Sequence, residues 1–204
     1  MTQRVPSPER RWNHNTHFHA RVLDAVPDGG NTALDVGTGN GLLARDLYDA
    51  GLDVTAIDLN GDVLRATRSA NANTGIHWLH GDVMGHDFGQ QFDVVASVAT
   101  VHHLPDLSAG LARLADLTAP GGTLVVVGLA KPTRLRDHVL GLAGVAQHRW
   151  SSWRRGYWEH SAPTCWPPPH SYAQVQHIAH AVLMGSEYRR HPLWRYVITW
   201  RRPR

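Results

Sequence analysis

Apolar residues along this chain alternate between two patterns, one typical of buried strands and one typical of helices. Mostly apolar runs bounded by turn residues predict strands over 32–36, 53–59, 76–82, 92–99 and 123–129. Between them, apolar residues at helical spacing predict helices over 41–50, 61–72 and 107–117. Strands that are apolar on both faces belong to parallel sheets that helices cover on both sides. The pattern therefore predicts an α/β fold with three layers and a doubly wound sheet.

The segment before the first predicted strand has a helical pattern of its own. Apolar residues recur at helical spacing from Trp12 to about Val26, and glycines after Pro27 end the predicted helix. We interpret residues 1–29 as a helical lid that covers a bound ligand with aromatic and polar side chains. Simple packing against the domain is an equal alternative for the side chains concerned, which are Trp12, Asn13, His14 and His17.

The pattern changes again after Lys131. An amphipathic segment over 135–146 leads into a stretch over 149–170 that is dense in Trp, Arg and Pro. We expect that stretch to form neither a regular strand nor a long helix, although its aromatic residues argue against disorder. Residues 131–170 are therefore interpreted as an inserted cap over the substrate.

Length and composition are those of a single globular domain. Of 204 residues, 42% are hydrophobic and 18% charged, and a helix over 171–184 with a terminal pair of strands around His191 completes one expected domain over 1–204. Cys165 is the only cysteine, so no disulfide can form within the chain. No run approaches the roughly 20 apolar residues that span a bilayer, and the first residues lack an apolar signal core. We expect a soluble, cytoplasmic protein with no membrane partner.

Charge and histidine content narrow the expected partners. The net charge of +3 is too small to imply nucleic acid by itself, although arginines cluster around 149–155 and 189–204. A basic face favours an anionic partner; alternatively, the arginine stems cover apolar neighbours. His177 and His180 lie three residues apart on a predicted helix, but none of the 15 histidines has a tight metal-binding spacing with a third ligand. We expect no metal site.

The loop after the first predicted strand, Gly37-Thr38-Gly39-Asn40-Gly41, is the main candidate for ligand binding. Glycines adopt positive φ and let a ligand approach the backbone closely. A dinucleotide-binding loop would carry its last glycine at position 42, which is Leu42. Asp35, two residues before the first glycine, would repel a pyrophosphate but suits a cationic amine or sulfonium. Asp58 ends the second strand, where it can accept hydrogen bonds from ribose hydroxyls. Together these residues favour a nucleoside without phosphates.

This arrangement resembles the class I S-adenosylmethionine-dependent methyltransferases, particularly the small stand-alone bacterial members. Residues 35–41 match their Asp/Glu-x-Gly-x-Gly-x-Gly loop. The order of the other motifs agrees over about residues 30–130, namely Asp58, Gly81-Asp82-Val83, Phe92-Asp93-Val94-Val95 and Pro120-Gly121-Gly122. The resemblance implies a Rossmann-like, mostly parallel sheet with an antiparallel C-terminal strand, and S-adenosylmethionine as the cofactor.

The resemblance also implies roles for individual residues. Asp58 would hold the ribose, Asp82 and the backbone amide of Val83 the adenine edge, and Asp35 with the glycine loop would lie beside the methionine portion. The alternative is that Asp35 caps a turn and the other two carboxylates are surface groups. The cofactor-binding set comprises Asp35, Gly37, Thr38, Gly39, Asn40, Gly41, Asp58, Leu59, Asp82, Val83 and Ser97.

The loop after the fourth predicted strand borders the transferred methyl group in the resembling family. Displacement at a sulfonium methyl has a good leaving group, so the protein must mainly position the nucleophile and exclude water. His102 and His103 lie in this loop, and a neutral imidazole accepts a proton near pH 7. Both are candidate catalytic bases, and packing or a bond to the backbone is the alternative for each.

The expected acceptor is a small molecule, and the sequence leaves an aromatic and an anionic acceptor open as alternatives. The loop after the fourth strand lacks the Asn/Asp-Pro-Pro-Tyr/Phe motif of enzymes that methylate amines of nucleic-acid bases, so nucleic acid is not the expected partner. Alternatives are an RNA or protein methyltransferase that docks through its arginine-rich C-terminal face, and a non-catalytic subunit that binds S-adenosylmethionine. The chain is expected to be a monomer or a homodimer. Candidate acceptor residues are Trp150, Trp153, Tyr157, Trp158 and Trp166 for an aromatic body, and Arg154, Arg155 and Arg195 for a carboxylate or phosphate.

Overall fold

The computed structural model describes residues 12–158 and 167–204 and places a seven-stranded mixed sheet at the centre of the molecule. The strand order is β3-β2-β1-β4-β5-β7-β6; β1 to β5 are parallel, and β7 runs antiparallel to both β5 and β6. This arrangement confirms the predicted Rossmann-like sheet, mostly parallel with antiparallel C-terminal strands. The strands are β1 Thr32–Val36, β2 Asp53–Asp58, β3 His77–His80, β4 Phe92–Val98, β5 Thr118–Gly128, β6 Glu187–His191 and β7 Arg195–Arg201.

Helices cover both faces of this sheet, as continuous apolar strands require. Alternate residues of β1 point to opposite faces, so Leu34 packs in one hydrophobic cluster and Ala33 in the other. The first cluster includes apolar residues of α4 and α6, and the second includes residues of α1 and α2. The helices in the described ranges are α1 His19–Leu23, α2 Leu42–Asp49, α3 Gly61–Ala70, α4 Leu107–Leu117, α5 Leu135–Arg155 and α6 Tyr172–Val182.

The strand order reverses between β1 and β4, which are neighbours in the sheet. Successive parallel strands leave β1 in one direction to β2 and β3, and in the other to β4 and β5. A crevice therefore opens beyond the carboxyl ends of β1 and β4, and ligands of doubly wound sheets bind at such a point.

The stretch after residue 146 differs from the prediction. We expected residues 149–170 to form no long helix, but α5 continues to Arg155 and has 21 residues. Beyond it, residues 156–158 and 167–170 are irregular, as expected. Residues 145–155 contain neither glycine nor proline, and Trp, Arg, Gln and Ala are all acceptable inside a helix. Gly156, with φ 73°, ends the helix. A high density of Trp and Arg was the wrong reason to exclude a helix here.

The helix predicted from Trp12 to Val26 is shorter in the structure and begins as a 3-10 turn. The structure has a 3-10 turn over Thr16–Phe18 followed by the short α1. The Asn13 carboxamide oxygen accepts hydrogen bonds from the backbone N–H groups of Asn15, at 2.8 Å, and Thr16, at 2.9 Å. Such local side-chain bonds favour a turn over a continuous helix.

The strand predicted over 123–129 begins earlier, at Thr118. The turn predicted from Pro120-Gly121-Gly122 lies within β5, where the pairing with β4 shifts register between Phe92 and Val94. An added Cβ at Gly122 would lie 2.8 Å from the carbonyl oxygens of Ala119 and Asp93, so only glycine fits this irregularity. Within the described ranges, no helix is long and apolar enough to cross a membrane.

Candidate functional site

A cavity of about 1060 Å³ lies beyond the carboxyl ends of the parallel strands, at the predicted position. Residues that follow β1, β2, β3 and β4 form its floor and one side. Residues of the N-terminal segment, with Leu129, Trp158 and Arg195, line it as well. The cavity therefore brings together segments that are far apart in the sequence.

The glycine loop follows β1 and runs along this cavity, and all three of its glycines have positive φ. A Cβ on Gly37 would lie 2.2 Å from the Thr100 hydroxyl oxygen, and one on Gly41 would lie 2.5 Å from the Thr67 methyl carbon. A Cβ on Gly39 would meet nothing within 4 Å. Gly37 and Gly41 are thus required for close packing, whereas Gly39 faces open space. Gly41, unlike Gly37 and Gly39, does not line the cavity.

Asp35 is the last residue but one of β1, directly before the glycine loop, and is only 2% exposed. Its Oδ2 accepts a hydrogen bond from the Thr38 hydroxyl at 2.7 Å and from the backbone N–H of Ala44 at 3.1 Å. Burial raises the pKa of this carboxyl to about 6, against the lowering effect of the Thr38 bond. These hydrogen bonds connect the glycine loop to α2 through Asp35, which also lines the cavity.

Asp58, at the end of β2, lies on the opposite side of the glycine loop and lines the cavity. Its Oδ2 accepts a hydrogen bond from the backbone N–H of Gly39, and its Oδ1 accepts one from that of Asn60, both at 2.8 Å. The adjacent Leu59 lines the same cavity and has an exposed side chain. Two backbone N–H groups therefore fix the orientation of the Asp58 carboxylate at the cavity.

Asp82 and Val83 follow β3 and line the cavity beyond Asp58. The Asp82 carboxylate is exposed, and its Oδ1 accepts a hydrogen bond from the Met84 backbone N–H at 2.9 Å. The Val83 side chain is buried in the hydrophobic core. The structure therefore brings Asp35, Asp58 and Asp82 to one cavity, as predicted from their positions at strand ends.

His102 and His103 lie in a 3-10 turn after β4, and both line the cavity. Their ring centroids are 4.2 Å apart. His103 is exposed, whereas His102 is buried and its Nδ1 has no hydrogen-bond partner within residues 12–158 and 167–204. Burial, followed by the charges of His103 and Arg195, lowers the pKa of His102 to about 4. The His102 imidazole is therefore neutral at pH 7 and holds a buried polar nitrogen at the cavity.

Ser97 was predicted to bind the cofactor, but the structure does not place it at the cavity. It is completely buried within β4, and its hydroxyl donates to the carbonyl oxygen of Val36 at 3.3 Å. Its side chain thus joins two strands. Thr100, which sequence analysis missed, lines the cavity three residues later.

The N-terminal segment divides between the two predicted roles. Asn13 lines the cavity together with Asn15, Thr16 and His19, which the prediction did not include. The remaining predicted lid residues pack elsewhere: the Trp12 ring lies against Tyr157 and the rings of His14, His17 and His148.

Among the aromatic candidates after α5 begins, Trp158 lines the cavity. Trp150 and Trp153 lie against each other, with ring centroids 5.7 Å apart, on an exposed face of α5. Tyr157 packs against Trp12 and the ring of His148. Trp166 lies outside the described residues.

The arginines that sequence analysis named for anion binding lie in very different surroundings. Arg154 stacks over Trp150, and Arg155 is exposed. Near the C-terminus, Arg189 pairs with Glu187. Arg202 donates to backbone carbonyl oxygens at the end of α4 and the start of β5. Arg195 lines the cavity. The arginine-rich end is thus partly built into the domain, so its residues do not form one free basic face.

The histidines named as a possible metal pair, His177 and His180, are both exposed on α6. Residues 12–158 and 167–204 contain no group of three or more His, Cys, Asp or Glu side chains that could hold a metal ion.

Comparison with known proteins gives concordant matches. The model of a family described as a methyltransferase domain matches residues 34–126. An uncharacterized methyltransferase of Mycobacterium tuberculosis is 39% identical over 96% of this chain and 99% of its own length. The S-adenosylmethionine-bound amino pentose methyltransferase CalS10 of Micromonospora echinaspora is 27% identical over 62% of this chain and 56% of its own, with a TM-score of 0.53. The N-methyltransferase NodS of Bradyrhizobium japonicum, bound to S-adenosylhomocysteine, shares the fold. It is 15% identical over 100% of this chain and 94% of its own length, with a TM-score of 0.64.

Proposed function

Because this chain belongs to the class I S-adenosylmethionine-dependent methyltransferases and uses S-adenosylmethionine as its cofactor, we propose that it methylates a small molecule by in-line displacement. The observation that carries the proposal is the cavity itself. At about 1060 Å³ it is at the upper limit of ordinary ligand pockets, which hold roughly 300–1,000 Å³. Such a volume accommodates the cofactor and a small acceptor side by side.

The walls of the cavity also favour a small acceptor. Asn13, Asn15, Thr16 and His19 line it together with Trp158 and residues of the glycine loop. The backbone N–H of Trp158 donates to the Trp12 carbonyl oxygen at 3.1 Å. We propose that residues 1–29 and 131–170 act as lid and substrate cap, which exclude water from the reacting groups. A macromolecular acceptor would need a more open face.

The residues present fit an adenosyl sulfonium without phosphates. We propose that the Asp58 carboxylate accepts hydrogen bonds from the ribose hydroxyls, and that Asp82 and the Val83 amide bind the adenine edge. Gly39, which faces open space, lets the cofactor approach the backbone closely. Thr38, Asn40 and Gly37 complete the loop, and the buried charge of Asp35 favours a cation above it.

The chemical demands on the protein are modest. S-adenosylmethionine supplies a methyl group on a sulfonium that is already a good leaving group. The chain must hold the acceptor nucleophile in line and accept its proton where one is lost. We propose His102 for this role, because it lines the cavity in the turn after β4 and a neutral imidazole can accept a proton. His103 lies against the same ring and lines the cavity, which makes it the second candidate.

Calorimetry with S-adenosylhomocysteine tests the cofactor site. Asp58→Ala removes a charged acceptor, and we expect it to weaken binding by about 2–3 kcal/mol, roughly 30- to 150-fold. Asp53→Ala at the opposite end of β2 is the matched control, since Asp53 is exposed and does not line the cavity. Equal affinities of the two variants would contradict the role of Asp58.

Turnover tests the acceptor class. Labelled S-adenosylmethionine is incubated with the full chain and pools of small metabolites, and in parallel with bulk tRNA and with proteins. We expect label to enter a small molecule. Label in RNA or protein alone would contradict the proposal, and cofactor binding without turnover on any pool would support a non-catalytic subunit.

A further inference from the structure

Arg195 is a buried cation without a carboxylate partner among the described residues. Its side chain is part of a residue only 6% exposed, and burial lowers its pKa to about 10, so the guanidinium remains charged at pH 7. One terminal nitrogen donates to the Asn15 carboxamide oxygen at 2.7 Å, and the other to the Leu193 carbonyl oxygen at 3.3 Å. Its Nε has no hydrogen-bond partner in the part of the chain that the structure describes. Buried charges are normally paired, so this group is poised for an anion.

The position of Arg195 in the sheet directs it at the acceptor side of the cavity. Because β7 is antiparallel to β5, its first residue lies at the same edge as the end of β5, and Tyr196 pairs with Gly128. Arg195 and Leu129, the residues next to this pair, both line the cavity. From β2, which carries Asp58, the sheet order runs through β1, β4 and β5 to β7. Four strand spacings of about 4.8 Å separate β2 from β7 by roughly 19 Å. The backbone of Arg195 therefore lies on the side of the sheet away from Asp58, four strands along from β2.

The backbone before Arg195 is held in an unfavourable conformation. Leu193 and Trp194 have φ values of 65° and 57°, in the left-handed region that residues with a Cβ rarely adopt. Leu193 is fully buried, and the Trp194 ring lies 5.4 Å from that of His14. Two left-handed residues in a row persist only where surrounding contacts impose them, and such strain collects at functional sites. Here the turn sets the start of β7 and hence the position of Arg195.

We infer that Arg195 binds the carboxylate of the methyl acceptor, so that the acceptor is a small molecule with a carboxylate attached to an apolar body. This inference rests on the proposed function. A guanidinium has five N–H groups, and the two hydrogen bonds described leave one N–H on each terminal nitrogen besides the buried Nε–H. Two terminal N–H groups suit a planar carboxylate. Trp158 and Leu129 supply apolar surface beside it in the cavity.

The charge balance favours a monoanion over a phosphate dianion. Arg65, the other arginine that lines the cavity, is ion-paired with Asp62 at the opposite end. Because its pKa is lowered, His102 is neutral and adds no second positive charge beside Arg195. The ligand at this place therefore faces the single positive charge of Arg195. One positive charge is matched by one carboxylate, whereas a phosphate would retain a buried negative charge.

Binding of a matched pair of probes to the full chain saturated with S-adenosylhomocysteine tests the inference. Phenylacetate and phenylacetamide have the same shape and differ in charge. We expect the wild-type chain to bind phenylacetate more tightly in an NMR or calorimetric titration. Arg195→Met keeps the apolar stem and should weaken phenylacetate binding at least about tenfold while leaving phenylacetamide unchanged. Arg195→Lys retains the charge and should give an intermediate loss. Arg189→Met, which removes an exposed arginine on the neighbouring strand, should change neither.

Each other outcome has a distinct meaning. If the wild-type chain shows no preference for phenylacetate, the inference is wrong while the cofactor site stands. If Arg195→Met instead weakens S-adenosylhomocysteine binding by the same factor, the guanidinium holds the carboxylate of the cofactor and the inference is likewise wrong. If S-adenosylhomocysteine fails to bind the wild-type chain, the proposed function itself fails.

Discussion

Two glycines inside α5 offer a matched test of how this helix positions the turn before Arg195. An added Cβ at Gly141 would lie 3.5 Å from Nε1 of the Trp194 indole, an ordinary contact. An added Cβ at Gly144 would lie 2.9 Å from the backbone nitrogen of Leu193, closer than real Cβ atoms approach. Both positions are inside the helix, so the same substitution by alanine probes contacts that differ only in tightness.

The expected effects have opposite signs. Alanine in place of glycine stabilises a helix interior by roughly 0.5–1 kcal/mol, and Gly141→Ala should show this gain. For a domain of this size the gain corresponds to an increase in Tm of about 1–4 °C. Gly144→Ala has the same helix gain, but overpacking against a backbone atom costs roughly 1–3 kcal/mol, so a net loss of about 1 kcal/mol is expected.

Thermal or urea unfolding of the two variants beside the wild-type chain supplies the measurement. Because Leu193 precedes Arg195 by two residues, Gly144→Ala should also reduce the preference for phenylacetate over phenylacetamide, and Gly141→Ala should not. If both substitutions stabilise the chain equally, α5 does not pack against the left-handed turn, and the account of how Arg195 is positioned is refuted.

Three further predictions concern the cofactor side of the cavity. Asp35 titrates near 6 when folded and near 3.8 when unfolded, so folding favours its protonated form and its contribution to stability is lost as pH rises from about 4 to 6. Asp35→Asn should therefore gain up to ~3 kcal/mol relative to the wild-type chain between pH 4 and 7 in urea unfolding, and a pH-independent difference would contradict the shift. Gly37→Ala should unfold far more easily than Gly39→Ala, since the former adds a clash with Thr100 to the cost of positive φ; equal stabilities would argue against that packing. The His102 imidazole, assigned in NMR spectra by comparison with His102→Gln, should titrate with a midpoint near 4, and a midpoint near 6.5 would show that the ring is solvated.

Sequence was sufficient for the sheet and for the acidic side of the cavity. The carboxyl ends of parallel strands meet at one edge of a sheet, so Asp35, Asp58 and Asp82 had to converge once the alternation of strands and helices was recognised. Glycine at position 39 likewise marked a place where the backbone stays accessible. These features depend on local order along the chain, which periodicity and spacing report directly.

Only the tertiary structure singled out Arg195 from the other arginines, removed Ser97 from the cavity and divided the N-terminal residues between lining and packing. Each of these outcomes depends on neighbours 60 to 180 positions away, such as Asn15 beside Arg195 and Val36 beside Ser97. Burial and the neutrality of His102 follow from the same distant contacts, because desolvation is a property of the folded surroundings and not of the residue. Because β7 runs antiparallel to β5, its first residue, Arg195, lies at the carboxyl edge of the parallel strands and lines the cavity there.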